Sequence, residues 1–255
     1  MPLDIEKLRE FRPQNKFHYF QTTDSTMTEA SHLVSLGADP GTVVIADEQT
    51  SGIGRLGRSW ISESDAGIYT SILLRLPLAP SRLPVASLLA GLATAEAIEK
   101  STSLACDLRW PNDVLIGERK VAGVLIQLIE DYVVVGVGIN VNNTSFPPGL
   151  RTPATSLLLS SAGRQQSREN LVVHLIDSLD TFSALLTREG PEAILRAFAA
   201  ASSYVMNRRV VVEESGVHGI TSGLDDQGFL LVRSKIGGTQ RVSTGGVRPD
   251  SGLFA

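Results

Sequence analysis

Two periodicities of apolar residues recur along most of the chain, and together they predict a domain that mixes helices and strands. Helical spacing and capping residues predict helices at 4–11, 27–37, 84–100, 168–187 and 191–204. Apolar and β-branched runs predict strands at 18–21, 42–46, 68–76, 107–116, 121–129 and 133–141. The strand at 107–116 is expected to continue past Pro111.

The pattern changes after Met206, where no helical spacing remains. Four short strand candidates follow, separated by glycine-containing turns, at 208–215, 217–224, 228–234 and 239–244. This spacing predicts a small antiparallel barrel or meander. We therefore expect a domain at 1–207 and a smaller domain at 208–255.

Composition and charge narrow the class of protein. The chain carries 27 acidic and 23 basic residues, for a formal net charge of −4, whereas general nucleic-acid binders usually have a basic excess. The single cysteine, Cys106, cannot form an internal disulfide, which fits a reducing cytoplasm. No signal peptide is visible, and no apolar run reaches the ~18 residues of a membrane span. We expect a cytoplasmic protein without a membrane partner.

A glycine-rich stretch, SGIGRLGRSW at 51–60, matches the dinucleotide-binding pattern G-x-G-x-x-G. That fingerprint also requires a helix directly after it and an acidic residue about 20 positions on. The following RSWISESDAG has no helical pattern, and the next acidic residue after Asp65 is Glu96. The match to the dinucleotide pattern is therefore coincidental.

Arg55 and Arg58 flank Gly57 in this stretch, although an ordinary turn would require no arginine there. Glycines allow backbone N–H groups to close on an anion, and guanidinium groups bind phosphate or carboxylate with two hydrogen bonds. The combination predicts a loop that orders around a polyanionic ligand.

A second motif, RWPNDV at 109–114, contains a proline inside a strand-like segment, which indicates a bulge or bend. Asn112 and Asp113 then project from the bend, unless they only form an Asx-turn. Lys120 opens the next strand, where a lone lysine is often a solvated edge residue. A hairpin over 114–123 would bring all three residues to one end of a sheet.

A third motif, GVGIN at 136–140, places two glycines in a buried strand. Such glycines permit the close approach of a ligand or of another backbone, and both readings stay open. Asn140 could hydrogen-bond an amide or the edge of a base.

Together these motifs resemble the biotin–protein ligases of the bacterial biotin–[acetyl-CoA-carboxylase] ligase type. The resemblance runs in family order over nearly all of 18–248. Its pieces are DST at 24–26, DEQTSGIGRLGRSW at 47–60, RWPNDV at 109–114, RKVAGVLIQ at 119–127, GVGIN at 136–140, ATSL at 154–157 and GITSGLDDQGFLLV at 219–232. It implies an α+β fold, with a mixed-sheet catalytic domain of the biotin/lipoate ligase type and a small C-terminal SH3-like β-barrel.

The resemblance also implies the reaction. Biotin, ATP and Mg²⁺ would give biotinyl-5′-AMP and pyrophosphate, and a lysine of a biotin carboxyl carrier protein would then take the biotinyl group. No prosthetic group and no covalent enzyme intermediate are implied. Relatives that repress transcription carry an N-terminal winged domain of about 60 residues. Fewer than 20 residues precede the first matched strand here, so we expect a monofunctional ligase without DNA binding.

Each matched position carries an implied role. Lys120 would lie between the biotin carboxylate and the α-phosphate, and it is the expected catalytic residue together with Arg55. The expected biotin contacts are Ser25, Thr26, Gln49, Gly52, Arg55, Lys120 and Gly123. The expected contacts of ATP or the adenylate are Arg55, Arg58, Trp60 packed on the adenine, Asn112, Asp113 and Asn140, with Asp113 also contacting Mg²⁺.

The chain departs from the family pattern at three positions. Ile53 stands where the family commonly has arginine, which removes a guanidinium worth roughly 1–3 kcal/mol if it made a charged hydrogen bond. Met27 replaces a frequent asparagine, and Arg109 replaces the usual lysine while keeping its charge.

Three other functions compete with this interpretation. A lipoate/octanoate–protein ligase shares the fold and the adenylation chemistry, but the RWPND and GVGIN pieces favour biotin. A nucleic-acid-binding module would need a basic, aromatic face, whereas 208–255 holds six basic and five acidic residues. An inactive homologue would be expected to have lost Lys120 or Arg55. A homodimer is possible on family grounds, without an identifiable interface.

Overall fold

Helices and strands are interspersed through the first part of the chain, and from Met206 onward the described residues form strands and the turns between them. The computed structural model describes residues 1–234 and 237–250. The helices are α1 (Ile5–Phe11), α2 (Thr26–Ser35), α3 (Leu83–Thr102), α4 (Leu157–Ser160), α5 (Arg168–Glu189) and α6 (Pro191–Ala201). The strands are β1 (Phe17–Thr23), β2 (Val43–Gln49), β3 (Gly67–Leu74), β4 (Asp107–Arg109), β5 (Asp113–Ile116), β6 (Arg119–Ile129), β7 (Tyr132–Asn140), β8 (Met206–Val212), β9 (His218–Leu224), β10 (Leu230–Ser234), β11 (Thr239–Val242) and β12 (Val247–Pro249).

A seven-stranded sheet with the order β1-β2-β3-β7-β6-β5-β4 forms the centre of the molecule. Strands β1 and β2 pair in parallel, and every other neighbouring pair is antiparallel. The α+β class and the mixed sheet are therefore confirmed.

Helices cover both faces of this sheet. Helix α3 is apolar on nearly all sides, as a helix enclosed by other elements must be, and it packs on α5, α6 and β6. Helix α2 packs on β2, β3 and β7 through a smaller apolar cluster that includes Met27 and Val34. The side-chain oxygen of Ser25 caps the start of α2 by accepting from the Met27 N–H at 3.3 Å.

Five further strands form a second, antiparallel sheet with the order β11-β10-β9-β8-β12. The strand β12 was missed because its three residues contain a proline and no apolar alternation. The closure of this sheet into an SH3-like barrel and the division into 1–207 and 208–255 stay predictions. The end of the predicted small domain, 251–255, lies outside the described residues, as do 235 and 236.

Two sequence-based boundaries were wrong. The segment 107–116 is not one strand, because the chain turns at 110–112 and β4 pairs antiparallel with β5. The predicted bend at Pro111 is thereby confirmed. Helix α6 ends at Ala201 rather than at 204. The backbone of Ser202 is extended, and its hydroxyl donates to the Leu108 carbonyl at 2.5 Å.

Strand β2 extends three residues beyond its apolar run, to Gln49. Asp47 within this extension is 1% exposed, because Arg168 of α5 pairs with its carboxylate at 2.8 Å. A buried ion pair thus hides a polar residue in a strand, which an apolar pattern cannot reveal. Among the described helices, none combines the length and the apolar character that crossing a membrane requires.

Candidate active site

Three glycines on one face of the large sheet form the floor of a cavity over its centre, called here the glycine floor. Gly123 of β6 lies opposite Gly138 of β7, and Gly136 follows on the same face. Since none has a side chain, the space above the two strands is open to other groups, and a cavity of about 50 Å³ remains there. The glycines of GVGIN were predicted to admit a ligand or another backbone, whereas the groups that approach them in the structure are side chains.

The indole of Trp60 lies across this floor. A Cβ atom added at Gly138 would lie 2.4 Å from Cε2 of Trp60, and one added at Gly123 would lie 3.0 Å from Cζ3. The indole Nε1 is buried and has no hydrogen-bond partner within the described part of the chain. The ring lines both this cavity and a larger one beside it, so it forms the wall between them.

One wall of the smaller cavity is polar and fixed. The side-chain oxygen of Gln49 accepts from the Thr26 backbone N–H at 2.9 Å and from its hydroxyl at 3.1 Å. The Gln49 amide nitrogen donates to Ser62 at 2.8 Å. The end of β2 and the start of α2 thus bring Ser25, Thr26 and Gln49 into the cavity lining.

Lys120 and Asp113 form an ion pair at the junction of the two cavities. The Lys120 ammonium lies 2.5 Å from Oδ1 of Asp113, and Arg109 donates to Oδ2 at 2.5 Å. The predicted hairpin brings these residues together, because β5 pairs antiparallel with β6. The same ammonium lies 5.2 Å from the centroid of the Trp60 ring, within cation–π range.

The ionisation of Asp113 follows from this environment. Burial raises the pKa of the carboxyl, but Lys120 and Arg109 outweigh burial, and the pKa is lowered from its ordinary value. Asp113 is therefore a carboxylate, and its two cations exceed its single negative charge. The surplus positive charge faces the cavities.

The glycine-rich stretch forms a loop closed by one 3₁₀ turn, Arg55–Gly57. Arg55 donates to the Asn112 side-chain oxygen at 3.2 Å and to the Gly245 carbonyl at 3.0 Å, and so joins the loop to both sheets. Burial lowers the pKa of Arg55, an effect that Asp113 opposes. Because a guanidinium stays protonated, Arg55 is a partly dehydrated cation beside the cavity.

Gly52 lies behind the cavity wall rather than in it. Its carbonyl accepts from the Trp60 N–H at 2.8 Å, and an added Cβ would lie 2.5 Å from the Trp60 carbonyl oxygen. The position therefore requires glycine because of a close approach between two backbones.

The larger cavity has a volume of about 650 Å³ and opens between the glycine-rich loop, the segment 143–152 and the second sheet. Asn140 lines it and donates to the Thr155 carbonyl at 3.1 Å. Arg58 lines it and lies 3.3 Å from a Glu213 oxygen. The larger cavity is therefore lined by the predicted nucleotide contacts, which are Arg55, Arg58, Trp60, Asn112, Asp113 and Asn140.

The donor set around Asp113 bears on the predicted Mg²⁺ contact. Both of its oxygens accept from cations, so a divalent ion would have to replace Lys120 or Arg109. No group of three or more histidine, cysteine or acidic side chains suited to a metal exists within 1–234 and 237–250. These residues fit an Mg²⁺ ion that is held mainly by phosphate oxygens.

Two of the three departures from the family pattern, Met27 and Ile53, line the smaller cavity. Met27 is 4% exposed, and its sulfur would lie 2.5 Å from a Cβ at Gly136, so the thioether fills the space of a missing side chain. Ile53 is 43% exposed and lines the smaller cavity with an apolar side chain.

Among the contributors to the larger cavity that sequence reasoning missed are Arg151, Glu213 and Gly245. Arg151 lies in an irregular segment, Glu213 in the turn after β8 and Gly245 in the turn before β12, all far from the glycine-rich loop along the chain. The nearest sequence motif to Arg151 is the ATSL piece at 154–157, which leads from the segment 143–152 into α4. No local pattern reports a contact between residues so distant in sequence.

Comparisons with known proteins agree with this geometry. The sequence model of the Biotin/lipoate A/B protein ligase family matches residues 19–141. The biotin--[acetyl-CoA-carboxylase] ligase of Mycobacterium tuberculosis is 36% identical over 88% of this chain and 85% of its own length. The bifunctional ligase/repressor BirA of Bacillus subtilis is 33% identical over 86% of this chain and 70% of its own.

A solved structure is similar over nearly its whole length. The biotin protein ligase from Aquifex aeolicus, in complex with biotin and ATP, superposes with a TM-score of 0.78 at 29% identity, covering 91% of this chain and 97% of that one. The similarity thus spans both sheets and includes a relative that is named as a ligase and matched over most of its length. The chain belongs to the biotin/lipoate A/B protein ligase family, in its biotin–protein ligase branch.

Proposed function

We propose that the chain is a biotin–[acetyl-CoA-carboxylase] ligase, which activates biotin with ATP and transfers it to a lysine of a carrier protein. One observation carries the proposal. Lys120 lies where a glycine-floored cavity meets a larger one, and Arg55 and Trp60 line both. A nucleotide fits the larger cavity, and a small ring compound with a carboxylate would fit the smaller one once the Trp60 indole moves off the glycines.

Adenylation needs positive charge where two anions meet. The carboxylate oxygen of biotin attacks the α-phosphorus of ATP, the bond to the β-phosphate oxygen breaks, and pyrophosphate leaves. Lys120 and Arg55 reduce the repulsion between carboxylate and phosphate and stabilise the additional charge in the transition state. Asp113 holds the Lys120 ammonium in place at 2.5 Å, so little reorganisation is required during the reaction.

Transfer uses the same cavities. The carrier lysine attacks the carbonyl carbon of the mixed anhydride, an amide bond forms, the acyl–phosphate bond breaks, and AMP leaves. The glycine-rich loop covers the junction and excludes water, which would otherwise hydrolyse the adenylate. The exposed side of the larger cavity leaves room for the carrier lysine.

The predicted ligand contacts become proposals at the residue level. Ser25, Thr26 and Gln49 would hydrogen-bond the biotin ureido ring. Gly52 would permit the close approach of two backbone segments behind it, and Gly123 would permit the close approach of the biotin ring. Trp60, Asn112 and Asn140 would hold the nucleotide, once the indole moves from the glycine floor onto the adenine. When bound, Mg²⁺ would neutralise phosphate charge, and Asp113 would be its carboxylate contact.

The acceptor and the cellular setting are also proposals. The acceptor is a biotin carboxyl carrier domain, because the chain's relatives are named for the biotinylation of acetyl-CoA carboxylase. We propose a cytoplasmic enzyme that binds neither DNA nor membranes. We also propose that the enzyme forms a homodimer through an edge of the large sheet.

The transfer reaction is tested with a purified biotin carboxyl carrier domain. Incubation with the chain, ATP, Mg²⁺ and biotin should attach biotin to the domain, as detected by mass spectrometry. A carrier variant with its acceptor lysine replaced by arginine is the matched control and should stay unmodified. Modification with lipoate or octanoate on a lipoyl domain, and none with biotin, would instead assign the lipoate/octanoate–protein ligase activity.

A further inference from the structure

One carboxylate at the edge of the larger cavity is surrounded by arginines. Glu213 lies 3.3 Å from Arg58, 3.2 Å from Arg151 and 2.7 Å from Arg248. Its side chain is 6% exposed. Arg58 comes from the glycine-rich loop, Arg151 from the segment 143–152 and Arg248 from β12, and Glu213 itself lies in the turn directly after β8. The cluster thus joins three parts of the chain.

The charges in this cluster do not balance. Arg248 alone would neutralise Glu213, because it donates to Oε1 at 2.7 Å, so Arg58 and Arg151 share the remaining oxygen at longer distances. Those two arginines are 46% and 43% exposed, and both line the larger cavity. Two weakly held guanidinium groups beside a cavity form a binding site for a second, stronger anion.

The cluster continues the positive charge of the adenylation site. Arg55 donates to the Gly245 carbonyl at 3.0 Å, and the adjacent Gly246 carbonyl accepts from the Glu213 N–H at 2.9 Å. The turn that fixes Glu213 therefore also contacts Arg55. A triphosphate with its α-phosphate at Lys120 would extend along Arg55 toward Arg58 and Arg151.

We propose that Arg58 and Arg151 bind the pyrophosphate end of ATP, and that Glu213 is an internal anion that this pyrophosphate displaces. This inference rests on the proposed function and deepens it. In the unliganded protein Glu213 holds both arginines near their working positions. During turnover it competes with pyrophosphate, weakens its binding and speeds its departure.

Substitutions of Arg151 and Glu213 should shift pyrophosphate binding in opposite directions if Glu213 competes with pyrophosphate. They should shift it in the same direction if the ion pair has only a structural role. The measured quantity is the half-saturating concentration of pyrophosphate in biotin-dependent ATP–pyrophosphate exchange. Arg151→Gln should raise it about three- to tenfold, because a charged hydrogen bond to pyrophosphate is lost. Glu213→Gln should lower it about threefold or more, because the competing anion is gone.

Matched controls lie in ion pairs elsewhere on the surface. Arg188→Gln and Glu192→Gln remove one charge each from pairs with Glu189 and Arg82 and should leave pyrophosphate dependence unchanged. Arg151→Lys should lie between wild type and Arg151→Gln. If Glu213→Gln does not fold, Glu213→Ala with the same readout replaces it. The half-saturating concentration of biotin should stay within about twofold in every variant.

Shifts in the same direction for Arg151→Gln and Glu213→Gln would overturn the proposal, because both would then act only by loosening the cluster. An unchanged value for Arg151→Gln would overturn it as well. Calorimetric titration of the unliganded protein with inorganic pyrophosphate should give the same opposite signs. This binding measurement needs no adenylation, so it separates a failure of the inference from a failure of the proposed function.

Discussion

Lys120 is held by two contacts that restrict its ammonium group to the junction of the cavities. Asp113 fixes the charge at 2.5 Å, and the Trp60 ring supports it at 5.2 Å. Because Arg109 shares Asp113, the carboxylate cannot fully neutralise Lys120. The residue is therefore fixed in place and still electrostatically available to an anion.

Lys120→Ala should reduce the rate of biotin-dependent ATP–pyrophosphate exchange roughly 100- to 1000-fold, since it removes the main charge that stabilises the transition state. The matched control is Lys100→Ala, which removes an exposed lysine of α3 that pairs with Glu96. A Lys120→Ala rate within about threefold of wild type would contradict the proposed role.

Gly138→Ala should raise the half-saturating biotin concentration about tenfold or more, because the new Cβ would take up space on the glycine floor where biotin would lie, a position now only 2.4 Å from the Trp60 ring. Initial rates of exchange at varied biotin concentration provide the measurement. Gly91→Ala in α3 is the control, since its Cβ would have only ordinary contacts at 3.7 Å. Equal effects from the two variants would mean that the glycine floor has no special role.

At the scale of elements, the ends of strands and helices carry the site, and buried ion pairs hold these ends. Asp47 near the end of β2 pairs with Arg168 at the start of α5, and it also accepts from the Tyr19 hydroxyl at 2.5 Å. Gln49 follows two residues later in the same strand. The ion pair therefore keeps the polar wall of the smaller cavity in register.

Asp47→Asn should lower the free energy of unfolding by roughly 3–5 kcal/mol, because Arg168 would remain buried with only the half-exposed Asp65 carboxylate, at 3.7 Å, to offset its charge. Urea denaturation provides the measurement. Arg188→Ala, which breaks an exposed pair, should change the same quantity by less than about 1 kcal/mol. A small loss for Asp47→Asn would show that Arg168 finds another partner.

Elements with strong local patterns could be predicted from sequence, and those set by distant contacts could not. Helix α3 and strands β6 and β7 followed from their apolar runs, and the hairpin that joins Asp113 to Lys120 followed from one proline and two strands. The polar extension of β2 depends on Arg168, far along the chain. The contacts of Arg55 with Gly245 and of Arg151 with Glu213 also have no local signal.

At the scale of the whole molecule, the two sheets meet through specific hydrogen bonds. The Trp110 indole donates to the Gly228 carbonyl at 2.9 Å, and the Tyr204 hydroxyl donates to Glu118 at 2.6 Å. Arg208 donates to the same carboxylate at 2.6 Å. This junction holds the second sheet beside the glycine-rich loop and thereby shapes the larger cavity.

Tyr204 should make the stability of this junction sensitive to alkaline pH. Burial and the bond to Glu118 raise the pKa of Tyr204 from 10.0 to about 12, so the folded state holds this proton more tightly than the unfolded state. The contribution of this proton to the free energy of unfolding is fully present below pH 10 and is lost as the pH rises toward 12. Tyr204→Phe should therefore lose less free energy of unfolding than wild type between about pH 8 and about pH 11. Equal losses in urea titrations would contradict this assignment.

The central claim is that this chain adenylates biotin, and biotin-dependent ATP–pyrophosphate exchange tests it most directly. Purified protein should incorporate labelled pyrophosphate into ATP when biotin is present, but not when lipoate or octanoate replaces it. The signal should disappear in Lys120→Ala. Exchange with lipoate alone would move the chain to the other branch of its family, and no exchange with any of the three acids would contradict the claim.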